Sequence, residues 1–270
     1  MARKIQPCVL TIAGSDSGGN AGVQADLRAF HCYGLHGCTV FAALTAQNPR
    51  GVRSVLDVPA AFIADQLDAV FEMYGVRALK TGMLATPEAI EVVAERLRAV
   101  PHVKKVVDPV MVATSGAKLI SDEAVAVLRE RLLPLATLIT PNLPEAVALL
   151  GHPVGPGAGM RAAARELADR FGCAVLVKGG HAVVEGEGGI AEDVLFDGRR
   201  VRVFAKPVVP HPVSTHGTGC SLAAALAAEL ARGASLARAV EGAKDFVFDA
   251  IKTSYRVGEN CGVLGMPRER

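Results

Sequence analysis

The sequence predicts a single α/β domain, a three-layer sandwich in which a mostly parallel central sheet is covered by helices on both faces and carries a small antiparallel edge. Two observations lead to this prediction. Short apolar runs alternate with longer helical segments along most of the chain, and half of the 270 residues are hydrophobic, which allows a sizeable core. Because no linker or repeat divides the chain, residues 1–270 are expected to form one domain.

Each predicted strand is followed by a predicted helix, which is the pattern of parallel strands joined by helical crossovers. The strand and helix segments pair as 8–13 with 22–33, 38–44 with 60–73, 78–79 with 87–100, 105–107 with 122–132, and 138–140 with 143–150 and 160–171; a strand over 174–177 follows. This order predicts helices on both faces of the sheet.

The pattern changes between residues 181 and 207, where short β-like pieces surround a glycine-rich stretch and the pair Asp197-Gly198. Asp-Gly is a hairpin signal, so we expect the antiparallel edge here. Two helices, over 219–232 and 236–253, close the chain, and the tail from Tyr255 is expected to be peripheral.

Composition excludes several classes of function. The net charge is only +2 and lacks a basic block, which argues against nucleic acid and anionic membranes as partners. The apolar run over 222–228 ends at Glu229, well short of the roughly 20 residues of a transmembrane helix. The six cysteines form no CxxC pair, as expected for reduced thiols in the cytoplasm. We therefore expect a cytoplasmic protein that acts on a small molecule.

A glycine-rich segment, Ser-Thr-His-Gly-Thr-Gly-Cys over 214–220, precedes the first of the closing helices. Glycines that let backbone N–H groups converge at a positive helix N-terminus form an anion site, and Cys220 lies in the first helical turn. The segment indicates phosphate chemistry. An ordinary helix start with a packing cysteine is the alternative.

A second glycine-rich loop, over 14–22, follows the first predicted strand and leads into a helix. Strand, glycine turn and helix is how a site is built at the carboxyl end of a parallel sheet. From this loop to Cys220, several further motifs follow in order: ALTAQN (43–48), KTGML (80–84), VDPVMVATSG (107–116), TPNLPEA (140–146) and VKGGH (177–181).

Together these motifs resemble the hydroxymethylpyrimidine/phosphomethylpyrimidine kinases of thiamine biosynthesis, which belong to the ribokinase-like superfamily. The resemblance covers most of the chain. It implies a ribokinase-like fold, ATP and Mg²⁺ as cofactors, and phosphorylation of 4-amino-5-hydroxymethyl-2-methylpyrimidine and then of its monophosphate. We also expect a homodimer.

The resemblance implies that Gly217, Thr218 and Gly219 donate backbone N–H groups to the transferred phosphoryl group, with Cys220 as the base toward the acceptor hydroxyl. A helix N-terminus can lower the pKa of a thiol from about 8.5 toward neutrality, so we expect a thiolate base to be feasible.

Mg²⁺ and its waters are expected near Asn142 and Glu145, which match the superfamily's N-x-x-E motif, and near Asp108. Oxygen ligands of this kind suit Mg²⁺. Asn142 could instead be a helix cap, and both roles are compatible. Asp108, Asn142 and Lys178 are expected at the phosphates; a turn-forming aspartate at 108 and a solvated lysine at 178 are the alternatives.

The acceptor is expected to contact Gly14, Asp26, Gln47, Met83 and Val110. The Gln47 amide can both donate to a ring nitrogen and accept from an adjacent amine in one plane. Met83 and Val110 would supply apolar contacts, and Gly14 would allow close backbone approach. A solvated helix residue at Asp26 and a core position for Met83 are the alternatives.

Two positions depart from the family's usual pattern. Asn20 replaces a glycine in the N-terminal loop, and Ser214 stands where asparagine is frequent. Asn tolerates left-handed backbone better than most residues, so the fold should survive.

Two other functions remain open. A pyridoxine or pyridoxal kinase of the same superfamily shares the N-terminal loop and the GTGC segment, although Gln47 and Asn48 favour the pyrimidine. A non-catalytic nucleotide-binding module would explain the glycines but not Cys220, Asp108 and Glu145 together. A dinucleotide-binding Rossmann domain and a P-loop NTPase are excluded, because neither G-x-G-x-x-G after the first strand nor GxxxxGK[ST] occurs.

Overall fold

A computed structural model describes residues 6–111, 119–180 and 189–267. Its main feature is a nine-stranded sheet with the order β3-β2-β1-β4-β5-β6-β7-β8-β9. The strands are β1 (Cys8–Asp16), β2 (His36–Asn48), β3 (Gly51–Asp57), β4 (Val76–Thr81), β5 (Lys104–Val107), β6 (Leu138–Ile139), β7 (Ala174–Lys178), β8 (Ile190–Phe196) and β9 (Val201–Pro207). Strands β2, β1, β4, β5, β6 and β7 are parallel.

Helices cover both faces of this sheet, which confirms the predicted fold class. They are α1 (Gly22–Cys32), α2 (Ala60–Met73), α3 (Pro87–Arg98), α4 (Asp122–Val127), α5 (Leu143–Leu150), α6 (Ala158–Phe171), α7 (Thr218–Ala231) and α8 (Leu236–Lys252). Helices α1, α7 and α8 share one core, and α2 to α6 share the other.

Alternation along the central strands explains the two cores. Val9 and Ala78 pack toward α1, α7 and α8, whereas their neighbours Leu10 and Leu79 pack toward the opposite helices. Successive side chains of a strand point to opposite faces, so a strand covered on both sides must be apolar throughout. This is why the parallel strands were recognisable in the sequence as continuous apolar runs.

The sheet has an antiparallel edge at each end, whereas the sequence predicted only one. The predicted edge is formed by β8 and β9, which are joined at Asp197-Gly198. The other edge is β3, which pairs antiparallel with β2. Strand β3 was missed because most of its residues are exposed, so it has neither the apolar run nor the alternation of a half-buried strand.

Two further elements differ from prediction. The helix expected over 122–132 is α4 followed by a π-helical turn, Leu128–Leu132, and a 3₁₀ turn, Leu133–Leu135. Pro134 lacks the N–H that an α-helix needs, so regular helix cannot continue through it. The tail forms a small hairpin from β10 (Tyr255–Gly258) and β11 (Cys261–Val263). Most of the glycine-rich stretch expected between 181 and 207, residues 185–188, lies outside the described residues.

Helix α7 is the central helix of its layer. It packs against α1, α8 and strands β1, β4 and β5, and nearly all of its residues from Ser221 onward are buried. A helix that is apolar on all sides belongs in a core. Among the described residues, no helix is long and apolar enough to cross a membrane.

Candidate active site

Three polar side chains meet where the parallel strands β5, β6 and β7 end. Asp108 follows β5 and is buried; its Oδ1 accepts hydrogen bonds from the Thr140 hydroxyl at 2.8 Å and from the Lys178 ammonium at 2.7 Å. Carboxyl ends of neighbouring parallel strands lie at the same edge of a sheet, so the topology brings these residues together. The exposed lysine considered for Lys178 is excluded, because only 13% of its side chain is exposed.

Glu145 and Asn142 form the start of α5 beside this pair. The Asn142 side chain accepts from the Glu145 N–H, and the Glu145 carboxylate accepts from the Asn142 N–H, both at 2.8 Å, which makes a complete capping box. Burial raises the pKa of Glu145 to about 7; the Lys178 charge opposes this shift and the Asp108 charge adds to it. Two buried carboxylates thus share one buried ammonium.

This arrangement fits Mg²⁺, which the fold family implies. The donors are oxygens, and the excess of negative charge over Lys178 is what a divalent cation would neutralise. In 6–111, 119–180 and 189–267, no three His, Cys, Asp or Glu side chains are close enough to hold a metal together. Water and phosphate oxygens would therefore complete the coordination, as Mg²⁺ commonly requires.

The N-terminus of α7 lies next to the same charges. Gly217 is its N-cap with φ of +87°, and no side chain caps this helix end. A β-carbon placed on Gly219 would lie 3.8 Å from Lys178 Nζ and 4.0 Å from Asp108 Oδ2. The backbone donors of the predicted anion site and the lysine predicted at the phosphates therefore border one space.

The N-terminal loop packs directly onto this helix start. A β-carbon on Gly217 would collide with the carbonyl oxygen of Asn20, so only glycine allows this approach. The loop is held by Asp16, whose carboxylate accepts from the N–H groups of Gly18, Asn20 and Ala21 at 2.8 to 2.9 Å. The departure at Asn20 is thus placed at a backbone contact between the two glycine-rich loops.

Cys220 is half-buried in the first turn of α7. Burial raises the pKa of its thiol; the Lys80 charge acts in the opposite direction, and the carboxylates of Asp26 and Asp108 add to the rise. The expectation that the helix N-terminus lowers this pKa is therefore wrong. Loss of water around the sulfur, with the two carboxylates, outweighs the nearby lysine and the backbone hydrogen bond with Gly22.

Asp26 lies behind the site, on α1. Its carboxylate is fully buried, accepts from the Lys80 ammonium at 2.8 Å and accepts from the Thr11 hydroxyl at 2.6 Å. The solvated helix residue considered for Asp26 is excluded. Its second oxygen, Oδ1, has no hydrogen-bond partner among the described residues, so a donor from a bound molecule could satisfy it. A substrate contact at Asp26 stays a prediction.

Of the remaining predicted acceptor residues, Met83 lies against Gly14 and Gln47 lies against the N-terminal loop. The Met83 methyl would lie 2.7 Å from a β-carbon on Gly14, so the glycine makes room for this side chain of the protein. The Gln47 backbone exchanges two hydrogen bonds of 2.9 Å with the Ser17 hydroxyl. The side-chain amide of Gln47 makes no hydrogen bond to a described residue. Gln47, Met83 and Val110 are each half-buried, which leaves them able to contact a ligand.

Several of these side chains were not predicted. Thr11 is a polar residue within an apolar strand, and that interruption is the signal that could have revealed it. Asp16, Lys80 and Thr140 lie inside motifs that were recognised, but no role was assigned to them. Residues 112–118, which include the second half of the 107–116 motif, lie outside the described residues, as does His181.

Comparison with known proteins identifies the family. A family described as phosphomethylpyrimidine kinase matches residues 16–265. The chain belongs to this family. It is 44% identical to the hydroxymethylpyrimidine/phosphomethylpyrimidine kinase of Synechococcus elongatus, over 96% of this chain and 97% of that protein. It is 46% identical to the kinase of the same name from Escherichia coli, over 94% of each.

Other relatives differ in length or in name. The chain is 48% identical, over 94% of its own length, to the thiamine biosynthesis bifunctional protein ThiED of Geobacter sulfurreducens. It spans about half (51%) of the length of that protein. A solved structure of Bacillus subtilis pyridoxal kinase in complex with ADP is 36% identical with a TM-score of 0.88, over 98% of each chain. Phosphomethylpyrimidine kinase from Clostridium difficile is 38% identical with a TM-score of 0.80, over 92% of this chain and all of that one.

We expect Gly217→Ala to abolish most kinase activity, because a methyl group there must push the Asn20 carbonyl, and with it the N-terminal loop, away from α7. The matched control is Gly233→Ala, at a φ of +90° with open space around the β-carbon position. Both variants carry the backbone strain of about 1–3 kcal/mol, but only Gly217→Ala disturbs the loop contact. Steady-state kinetics and thermal unfolding of both variants are the measurements; equal activity losses would contradict this expectation.

Glu145 should make stability depend on pH. Its pKa of about 7 in the folded chain lies above the unfolded value, so the stabilisation is fully present below about pH 4.5 and is lost as the pH rises through 7. Glu145→Gln should remove up to about 3 kcal/mol of this pH dependence, at about 1.4 kcal/mol per pKa unit. Urea unfolding at several pH values between 4.5 and 8 measures the free energy of unfolding, with Glu88→Gln, at an exposed position, as the control. If the free energy of unfolding of Glu145→Gln changed with pH as much as that of the wild type, this account would be refuted.

Proposed function

We propose that this kinase transfers the γ-phosphoryl group of ATP to the hydroxymethyl oxygen of 4-amino-5-hydroxymethyl-2-methylpyrimidine, and a second one to the resulting monophosphate, which gives the diphosphate. The observation that carries the proposal is the position of the α7 start: the β-carbon position of Gly219 borders the Asp108–Lys178 pair, and Cys220 is close enough to interact electrostatically with both side chains. Phosphoryl transfer needs donors, positive charge and a metal bridge in one place; this edge of the sheet has the backbone donors, the Lys178 ammonium and oxygen atoms that would hold a metal.

On the nucleotide side, the backbone N–H groups of Gly217, Thr218 and Gly219 would bind the transferred group, where negative charge develops. Lys178 would keep its hydrogen bond to Asp108 and donate a second one to a phosphate oxygen, since an ammonium has three donors. Asp108, Asn142 and Glu145 would hold Mg²⁺ and its waters. When bound, the cation supplies charge neutralisation between the phosphates.

On the acceptor side, Gln47 would hydrogen-bond the edge of the aminopyrimidine, while Met83 and Val110 would contact its ring. Asp26 would reach the substrate through its unpartnered Oδ1, and Gly14 would keep the backbone close to the ring. The hydroxymethyl oxygen would then face Cys220, which would accept its proton. Because burial raises the pKa of this thiol, the neighbouring Lys80 charge is what favours the thiolate.

A pyridoxine or pyridoxal kinase is the second candidate. It is favoured by the TM-score of 0.88 to Bacillus subtilis pyridoxal kinase. The relatives named as pyrimidine kinases are closer in sequence, at 44 and 46% identity against 36%. A non-catalytic nucleotide-binding module explains neither the buried charges at Asp108 and Lys178 nor Cys220 beside them.

The deciding experiment supplies the purified chain with ATP, Mg²⁺ and either the pyrimidine, its monophosphate or pyridoxal. We expect the pyrimidine to yield its mono- and diphosphate. The kcat/KM for the pyrimidine should exceed the kcat/KM for pyridoxal. Efficient phosphorylation of pyridoxal alone would assign the second candidate, and nucleotide binding without any product would assign the non-catalytic module.

The base role of Cys220 predicts that Cys220→Ser lowers kcat while leaving the fold intact. Loss of a general base costs about 10²- to 10⁴-fold, and a loose transition state places the loss near the lower end. In the wild type, kcat should rise with pH because the raised pKa keeps the thiol protonated at neutral pH. Measured kcat from pH 6 to 9 decides; near wild-type turnover in a folded Cys220→Ser would remove the role.

The proposed pyrimidine contact predicts that Gln47→Leu weakens catalysis with the pyrimidine. A buried hydrogen bond lost on one side costs about 1 to 3 kcal/mol, so kcat/KM should fall about 5- to 150-fold. Lys104→Leu, at an exposed position at the start of β5 and so at the opposite edge of the sheet, is the control. Kinetics with the pyrimidine unchanged in Gln47→Leu would place Gln47 outside the pocket.

We propose the cytoplasm as the location, because all six cysteines are free thiols, as is usual in a reducing compartment. We also propose a homodimer formed through β3 and α2. Strand β3 is a sheet edge, and large apolar side chains are exposed on it and nearby: Leu44, Val55, Leu56, Phe62, Met73 and Tyr74. An exposed apolar edge that is not blunted by pairing favours association.

This interface predicts that Leu56→Arg yields a monomer, since Leu56 is 65% exposed on the edge strand and a second copy would have to bury the charge. Val257→Arg, at a residue 59% exposed on β10 of the separate two-stranded sheet, should leave the dimer intact. Light scattering after size exclusion reports the mass of each variant. A monomeric wild type would refute the homodimer.

A further inference from the structure

A second buried ion pair lies beside the site and has no role in the chemistry described so far. The Lys244 ammonium on α8 donates to Asp193 Oδ2 on β8 at 2.6 Å, and the two side chains are only 10% and 7% exposed. The other oxygen, Asp193 Oδ1, accepts from the Gly179 N–H at 3.0 Å. Gly179 directly follows Lys178, so this pair is tied to the backbone that carries the phosphate-facing lysine.

Asp193 is also the cross-strand partner of Lys178. The two residues face each other in the antiparallel register of β7 and β8. Directly opposed residues share one face of a sheet, with β-carbons about 4.5–5.5 Å apart. Leu176 and Leu195, two positions earlier and later on these strands, pack in the core of α7 and α8, so Lys178 and Asp193 lie on that face too.

Besides Asp108 and Glu145, whose charges act on Lys178, a further buried carboxylate, Asp193, therefore lies directly across the strands from Lys178. Its ammonium is on Asp108, at 2.7 Å, and not on its nearer strand neighbour Asp193. The difference between the two carboxylates is Lys244, which already neutralises Asp193. A buried carboxylate without a cation is strongly unfavourable, so in the absence of Lys244 the nearest mobile ammonium would be drawn to it.

We propose that Lys244 and Asp193 are positioning residues for Lys178: Lys244 occupies Asp193 so that the Lys178 ammonium stays at Asp108 and the phosphates, while Asp193 fixes the Gly179 backbone. The room for this arrangement is tight, because a β-carbon on Gly179 would collide with the Glu192 carbonyl oxygen. The phosphate-binding role of Lys178 rests on the proposed function; the charge competition does not.

The test uses Lys244→Met, the double variant Asp193→Asn with Lys244→Met, and Lys244→Arg. Lys244→Met should lower kcat/KM for ATP about 10-fold, the value of one charge-assisted hydrogen bond, with the fall in phosphate-dependent steps and not in KM for the pyrimidine. The double variant has no uncompensated carboxylate, and the amide oxygen introduced by Asp193→Asn can still accept from the Gly179 N–H, so activity should recover to within about threefold of wild type. Lys244→Arg should retain most activity.

The matched control is Lys206→Met. Lys206, on β9, forms a 2.6 Å ion pair with Asp245, the residue that follows Lys244 on α8. Both side chains of this pair are more than a third exposed. This variant should leave kcat and both KM values unchanged. If Lys244→Met does not fold, Lys244→Gln, which keeps a polar group beside Asp193, carries the same expectation.

A crystal structure of Lys244→Met without nucleotide gives a readout that needs no activity. The Lys178 ammonium should have moved from Asp108 to Asp193. Lys178 still on Asp108, or a double variant as impaired as the single one, would overturn the proposal. An inactive wild type would refute the proposed function alone, since the position of Lys178 in that crystal structure would still decide the charge competition.

Discussion

The charge balance at the carboxyl edge of the sheet is the constraint on which the rest of the site depends. Asp108 and Glu145 are both buried there, and Lys178 is the ammonium that lies between their charges. Buried charges are tolerated only when they are paired and hydrogen-bonded. Thr140 on Asp108 and the capping box on Glu145 meet that requirement, so the ends of β6 and α5 are fixed by the same groups that would hold phosphates and metal.

A second constraint is steric. The two glycine-rich loops, far apart in sequence, meet where the Asn20 carbonyl takes the place of a side chain on Gly217. Asp16 keeps the first loop in the shape that allows this contact, through three backbone hydrogen bonds. The N-terminal loop over 14–22 and the glycine-rich segment over 214–220 therefore form one unit, although neither is part of a strand or a regular helix at the point of contact.

The sequence predicted what depends on local pattern and failed where long-range burial decides. Strands such as β1 and β7 are buried on both faces, so their apolar runs revealed them. Strand β3 is exposed and is held only by pairing with β2, which leaves no trace in its own residues. At the site, the motifs indicated Asp108, Glu145, Lys178 and Cys220. The direction of the Cys220 pKa shift could not be predicted, because it depends on how far the fold excludes water from the sulfur.

The burial of helix α7 determines how rigidly the glycine-rich segment at its start is held. The residues of α7 from Ser221 onward are nearly all buried, many of them alanines that let α1, α8 and the sheet approach closely. Backbone amides in such a buried helix are expected to exchange with solvent mainly through global unfolding. The first turn, with its glycines, is thus continuous with a segment that should resist local opening. Adjustments to a bound nucleotide must come from the loops around α7, while the helix itself serves as the fixed reference for the transferred group.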